Sequence, residues 1–155
     1  MSLIDLFTTS IAPSETAGTA VGYAEASNVL TPTGGNFSGE TVDGTAVLVR
    51  WTYQGDATLD GQVDVSDLGR LATNWQQSAD WSGGDFNYDG FVDVTDLGAL
   101  ATNWQLGVGN PLGQPSFEAA LASVGLGHVS VPEPAGMTLL GLAAASLLRR
   151  RVRPH

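Results

Sequence analysis

Eight aspartates fall in two short stretches with the same internal spacing, and that spacing suits one kind of chemistry. Counting from Asp56 as position 1, the first stretch has Thr58 at 3, Asp60 at 5, Gly61 at 6, Gln62 at 7, Asp64 at 9 and Asp67 at 12. The second has Asp85, Asn87, Asp89, Gly90, Phe91, Asp93 and Asp96 at the same places. A calcium ion is a hard cation that takes about six to eight oxygen ligands, and a twelve-residue loop can supply them from these positions, with position 7 giving its backbone carbonyl. Gly at position 6 lets the chain turn sharply around the ion. Gln62 and Phe91 share no side-chain chemistry, as expected where only a carbonyl is used.

The loop pattern D-x-[DN]-x-[DN]-G-x5-E of EF-hand-like sites is met by the second stretch except at position 12, where Asp96 replaces Glu. The first stretch departs there too, at Asp67, and again at position 3, where Thr58 offers a hydroxyl in place of a carboxylate. Two Ca2+ sites are expected, the second tighter than the first. Asp-Gly is also a turn signal, but two such loops in register argue for ligands.

These loops belong to an internal duplication. Asp56 to Gln76 and Asp85 to Gln105 align at an offset of 29 residues with 15 of 21 positions identical. Two copies are too few for a solenoid, so a closed pair with pseudo-two-fold symmetry is expected. Behind each loop an apolar stripe at i, i+3, i+4 and i+7 predicts a short helix: Leu68, Leu71, Ala72 and Trp75, then Leu97, Leu100, Ala101 and Trp104. Asp67 and Asp96 lie in the first helical turn, where the helix dipole favours negative charge. Gly69 and Gly98 weaken these helices, which suggests close packing at those points or helices that form fully only with calcium. The tryptophans, at helical spacing, read as core more readily than as a carbohydrate-stacking surface.

Composition supports cations as partners and closes off other chemistry. The 155 residues carry 16 acids and 6 basic residues, for a net charge of -10. All six basic residues are arginines, and four of them stand in the last seven positions, so Arg50 and Arg70 alone face the acids of the body. Such a chain repels a phosphate backbone, which excludes nucleic acid. There is no cysteine, hence no disulfide or thiolate site, and the two histidines, His128 and the terminal His155, are too few for a multi-histidine zinc site or a Ser-His-Asp triad.

The duplicated loop-helix unit resembles the type I dockerin repeat, in which each half is a calcium loop with Asp at position 12 followed by one helix (an F-hand). The resemblance spans Asp56 to Gln105. It implies a small α module that binds two calcium ions and, in cellulosomal proteins, a cohesin partner through loop positions 10 and 11. Those positions are Val65 and Ser66, then Val94 and Thr95. The hydroxyl at 11 is kept in both copies, whereas Val at 10 departs from the Ser of well-known cohesin binders. The resemblance therefore carries over calcium binding and not cohesin binding.

Residues 1–54 read as β-rich. Weak strand-like pieces lie around Ala20 to Ala26 and Asn36 to Ser38. A clear strand follows, in which Val47, Val49, Trp51 and Tyr53 form an apolar, aromatic face and alternate with Leu48, Arg50 and Thr52. It enters the first loop directly at Gly55, with no preceding helix. Such a strand needs partners that residues 1–44 only partly supply, so the segment is expected to close a larger upstream β domain. Met1 to Ser10 is not a secretory signal: it has no basic region, and Asp5 interrupts its apolar run. The repeat module occupies 55–106. A Gly/Pro linker follows from Gly107 to Pro115, and within 107–130 Ser116 is expected to cap a short helix whose Phe117, Leu121 and Val124 share a face, ended by Gly125.

The terminal residues 131–155 carry a separate signal. Pro132, Glu133 and Pro134 precede an uncharged stretch from Ala135 to Leu148, then Arg149, Arg150 and Arg151. Fourteen helical residues span about 21 Å, short of the roughly 30 Å hydrocarbon core, and the arginines give the charge bias of a membrane-inserted tail. Motif, apolar helix and basic end in this order resemble the PEP-CTERM sorting signal of Gram-negative bacteria. That likeness implies export, transient inner-membrane tethering, processing by an exosortase, and delivery to the cell surface or extracellular matrix. Together with dockerin-like repeats it is similar to planctomycete-type surface proteins. Export requires an N-terminal signal, so the true start is expected upstream.

The fold expected is thus mixed: a β-rich segment, a small α module of two calcium loop-helix units, and a C-terminal apolar helix. The function expected is a non-catalytic, calcium-binding exported protein. The alternative is a dockerin recruiting a cohesin-bearing partner in polysaccharide degradation. An enzyme using paired carboxylates is disfavoured because the loops already need most of the acids as ligands.

Overall fold

The computed structural model describes residues 18–130. It is mixed α/β, with two small sheets and a few short helices. In chain order the elements are strand β1 (Thr19–Glu25), helix α1 (Ala26–Val29), strands β2 (Gly34–Phe37), β3 (Glu40–Asp43) and β4 (Val47–Tyr53), and helices α2 (Val65–Thr73), α3 (Val94–Thr102) and α4 (Phe117–Ser123). The expected C-terminal apolar helix over 135–148, the sorting residues around it and Met1 to Ser10 lie outside the described residues. Among the described residues no helix is long and apolar enough to cross a membrane.

β1 and β4 form an antiparallel ribbon in which Gly22 pairs with Arg50 and Ala20 with Thr52. β2 and β3 form a separate hairpin whose two turn residues, Ser38 and Gly39, both have positive φ (52° and 94°), the mirror-image turn that suits the right-handed twist of paired strands. The strand expected over Val47 to Tyr53 is present, but the core takes its other face. Leu48 and Thr52 are buried, while Val47 is 70% exposed and Val49 45%. Close approach explains the choice. A Cβ on Gly22 would come within 2.5 Å of Leu59 and 2.7 Å of the Trp81 indole, so the ribbon rests its small-residue side directly on that ring. Arg50 and Thr52 also need polar partners beneath, and Arg50 Nη1 donates to the Leu59 carbonyl at 2.8 Å.

Leu68 and Leu71 of α2 and Leu97 and Leu100 of α3 are fully buried, as the apolar stripes predict. Ala72, Trp75 and Trp104 pack around that core half-buried, and the fully buried tryptophan is Trp81. Ala24 and Leu48 of the ribbon belong to the same apolar cluster as the helices. The two loop-helix units exchange backbone hydrogen bonds reciprocally. Val63 donates to Leu106 O (3.0 Å) and accepts from Gln105 N (2.9 Å), while Val92 donates to Gln77 O (2.9 Å) and accepts from Gln76 N (2.9 Å). Each loop is thereby tied to the chain leaving the other unit's helix. Gly55 and Gly84 share φ = 113°, and a Cβ on either would meet the backbone of the opposite helix, at Leu100 (2.9 Å) or Leu71 (2.8 Å).

Gly69 and Gly98 do not mark close packing: a Cβ at either would meet nothing within 4 Å. Thr73 and Thr102 instead donate their hydroxyls to the carbonyls of these glycines at 2.8 Å. The expected third helix is α4, capped by Ser116 and followed by Gly125 at φ = 83°. Its Leu121, with Leu126 beyond it, joins the core, and Phe117 meets Trp104 edge-on at 5.2 Å.

Candidate metal centre

Each loop runs from a left-handed glycine into the first turn of a helix, and its acids divide into a buried and a peripheral set. Asp56, Asp67, Asp85 and Asp96, at positions 1 and 12, are 0 to 3% exposed. Asp60 and Asp89, at position 5, are exposed, and Asp64 and Asp93, at position 9, are half-buried.

The buried acids are held by backbone amides. In the first loop Asp56 Oδ1 accepts from Asp60 N (3.1 Å) and Oδ2 from Gly61 N (2.9 Å). Asp67 Oδ1 accepts from Thr58 N (3.0 Å), and its Oδ2 from Asp64 N (2.9 Å). The Thr58 hydroxyl lies 3.1 Å from Asp67 Oδ1 and 3.4 Å from Asp56 Oδ1, so positions 1, 3 and 12 meet at one point. In the second loop Asp96 accepts from Phe86 N (2.8 Å), Asn87 N (3.2 Å) and Asp93 N (3.0 Å), and Asp85 Oδ2 from Gly90 N (2.9 Å).

Burial pushes the Asp67 carboxyl up to about 7 against the restraint of its amide partners, with Asp56 adding repulsion. Burial also raises Asp56 and Asp96. Removal from water penalises the charged form, and only a nearby cation or enough donors can offset it. Asp85 shows the deficit directly: its Oδ1 is buried and has no hydrogen-bond partner. A buried, unpaired polar atom costs about 1 to 3 kcal/mol, and more when charged.

The remaining expected ligands face their own loops. Asp60 accepts from Gln62 N (2.8 Å) and lies 3.3 Å from Gln62 Nε2. Asp89 accepts from Phe91 N (2.9 Å) and from Asn87 Nδ2 (2.9 Å), and Asn87 Oδ1 accepts from Asp89 N (2.8 Å). Asp64 and Asp93 cap α2 and α3 by accepting from Ser66 N and Thr95 N, both at 2.7 Å, and Asp67 and Asp96 complete reciprocal capping boxes. As placed, no three Asp, Glu or His side chains among the described residues stand together closely enough to hold an ion. The donor set is nevertheless all oxygen, with four carboxylates in each loop, and the unpartnered Asp85 Oδ1 fits a hard cation.

Val65 and Ser66, and Val94 and Thr95, open the two helices on exposed positions. Sequence reading missed several residues that hold the loops. Trp81 Nε1 donates to the Asp56 carbonyl at 2.7 Å, and the Thr52 hydroxyl donates to Asp56 Oδ2. Tyr88, from the second loop, donates its hydroxyl to Val21 O at 2.6 Å and lies 5.4 Å from the Trp81 ring. Asn103 Nδ2 lies within 3.2 Å of the carbonyls of Gly18, Gln54 and Ala99, as Asn74 Nδ2 lies 3.0 Å from those of Arg70 and Gly83. The identity of Asn74 and Asn103 across the duplication was the available signal. Comparison with protein-family models, with curated proteins and with solved structures returns no match.

Proposed function

We propose that residues 55–106 form a dockerin-like pair of calcium loop-helix units, and that the protein is a non-catalytic, calcium-stabilised module of an exported cell-surface or matrix protein. The observation that carries this reading is the buried, unpartnered Asp85 Oδ1 at position 1 of a loop whose other acids stand at ligand positions. Asp56, Thr58, Asp60, Asp64 and Asp67 would hold one ion with the Gln62 carbonyl. Asp85, Asn87, Asp89, Asp93 and Asp96 would hold the other with the Phe91 carbonyl. The ion would neutralise carboxylates already withdrawn from water, so binding energy becomes folding energy.

Calorimetric titration of the full chain with calcium should show about two sites. Calcium at 100 times its dissociation constant should add about 2.7 kcal/mol of stability per site. Asp60→Ala and Asp89→Ala should each remove one site. Absence of both heat and a rise in melting temperature would refute the reading. Residues 131–155 supply the proposed route to the surface: an exosortase-type enzyme would process the chain near Pro132 to Pro134. A cut there that persists in a host lacking exosortase would exclude that route.

A second reading, recruitment of a cohesin-bearing partner, is favoured by one observation. Val65 and Val94 are each 39% exposed at equivalent places, presenting a duplicated apolar contact. Pull-down with cohesins, compared with Val65→Asp and Val94→Asp, decides between a recruiting and a purely structural module.

A further inference from the structure

The β1–β4 ribbon reaches the first loop through a side chain that the loop pattern does not contain. Thr52, on the inward face of β4 and 5% exposed, donates its hydroxyl to Asp56 Oδ2. That oxygen also accepts from Gly61 N, while Oδ1 accepts from Asp60 N and faces the Thr58 hydroxyl, which itself reaches Asp67. The pairing of Thr52 with Ala20 fixes where the hydroxyl stands.

The duplication supplies an internal comparison. The residue equivalent to Thr52 in the second unit, 29 positions on, is Trp81. Its indole does not turn to Asp85 but donates to the Asp56 carbonyl at 2.7 Å. Both residues at this register therefore serve the first loop. Asp85 keeps Gly90 N on Oδ2, and its Oδ1 has no partner. The first loop, whose position 3 is the Thr58 hydroxyl where the second has the Asn87 amide, is the one given outside support.

We propose that Thr52 is a positioning residue for the first metal site, orienting Asp56 so that the ribbon and the ion at that site stabilise each other. The inference rests on the calcium reading of the loops. A hydrogen bond that fixes a ligating carboxylate is worth about 10- to 100-fold in metal affinity. Coupling between two elements is reciprocal, so an ion that needs Asp56 in this orientation also tightens β4.

The test uses the full chain with single-site backgrounds. In Asp89→Ala, where the first site remains, Thr52→Val should weaken calcium binding about 10- to 100-fold by calorimetry, and Thr52→Ser should restore most of it. In Asp60→Ala, where the second site remains, Thr52→Val should leave affinity unchanged. Hydrogen exchange at residues 47–53 should slow on calcium addition in Asp89→Ala and not in Asp89→Ala carrying Thr52→Val. Circular dichroism confirms that each variant is folded, and Thr52→Ser keeps the test open if Thr52→Val is not. Unchanged first-site affinity in Thr52→Val, equal weakening at both sites, or failure of Ser to restore binding would overturn the role of Thr52 alone. Absence of calcium binding in Asp89→Ala with Thr52 intact would overturn the calcium reading of the first loop and this inference with it.

Discussion

Replacing Asp67 by Asn should change stability in opposite directions with and without calcium. Asp67 is fully buried, and burial pushes its carboxyl from an ordinary 3.8 up to about 7. Keeping it ionised above neutral pH therefore costs the calcium-free protein about 4 kcal/mol. Asn removes that charge at nearly the same volume. Its single carbonyl can accept from only one of Thr58 N and Asp64 N, which now share the carboxylate, so one buried donor is left unpaired at about 1 to 3 kcal/mol. The net expectation in EDTA at pH 7.5 is a gain of about 1 to 3 kcal/mol by guanidinium denaturation. In calcium at 1,000 times its dissociation constant the variant forgoes about 4.1 kcal/mol at the first site, and the order should reverse.

The pH dependence has a definite sign. A carboxyl whose folded pKa is raised contributes stability that is present below about 4 and lost as pH rises through about 7. The calcium-free protein should thus gain stability on acidification from pH 8 toward 4, with Asp56 and Asp96 contributing in the same direction, and Asp67→Asn should flatten the curve. A variant that is less stable than the parent in EDTA would refute the argument from buried charge. One that keeps both calcium sites would refute the ligand role of Asp67.

Gly84→Ala should destabilise by about 1 to 3 kcal/mol, because the new Cβ meets the Leu71 backbone at 2.8 Å and the residue sits at φ = 113°. Gly69→Ala and Gly98→Ala should instead stabilise by roughly 0.5 to 1 kcal/mol each in thermal unfolding, since both lie mid-helix with open space around the added methyl. Trp81→Phe should cost about 2 to 3 kcal/mol through the lost bond to Asp56 O and the void left beside Gly22, seen as a lower denaturation midpoint at unchanged slope. Ser116→Ala should cost about 1 kcal/mol by removing the hydroxyl that caps α4 by accepting from Ala119 N, with little effect on calcium response.

The repeat, its two loops and the helices behind them were legible because each rests on local rules. Spacing placed the acids, 3.6-residue periodicity placed Leu68, Leu71, Leu97 and Leu100, and Ser116 and Gly125 bounded α4. The capping role of Asp64 and Asp93 was hidden by the same pattern, since one aspartate can serve as a loop residue or as a helix cap at the same position. Close packing at Gly69 and Gly98, one of the two readings their positions offered, is not found, since a glycine's missing side chain says nothing about what stands opposite it.

What sequence alone determined about this chain is local: where acids recur, where chain direction must change, and which helical faces are apolar. Tertiary structure decided the rest, because it depends on contacts between distant residues. Strand alternation defines two faces of β4 but not which one turns inward, and Gly22 resting on Trp81 selected the face bearing Leu48 and Thr52. The same docking brought Thr52 and Trp81 onto Asp56 and left Asp85 Oδ1 without a partner, giving two loops with the same aspartate spacing unequal surroundings.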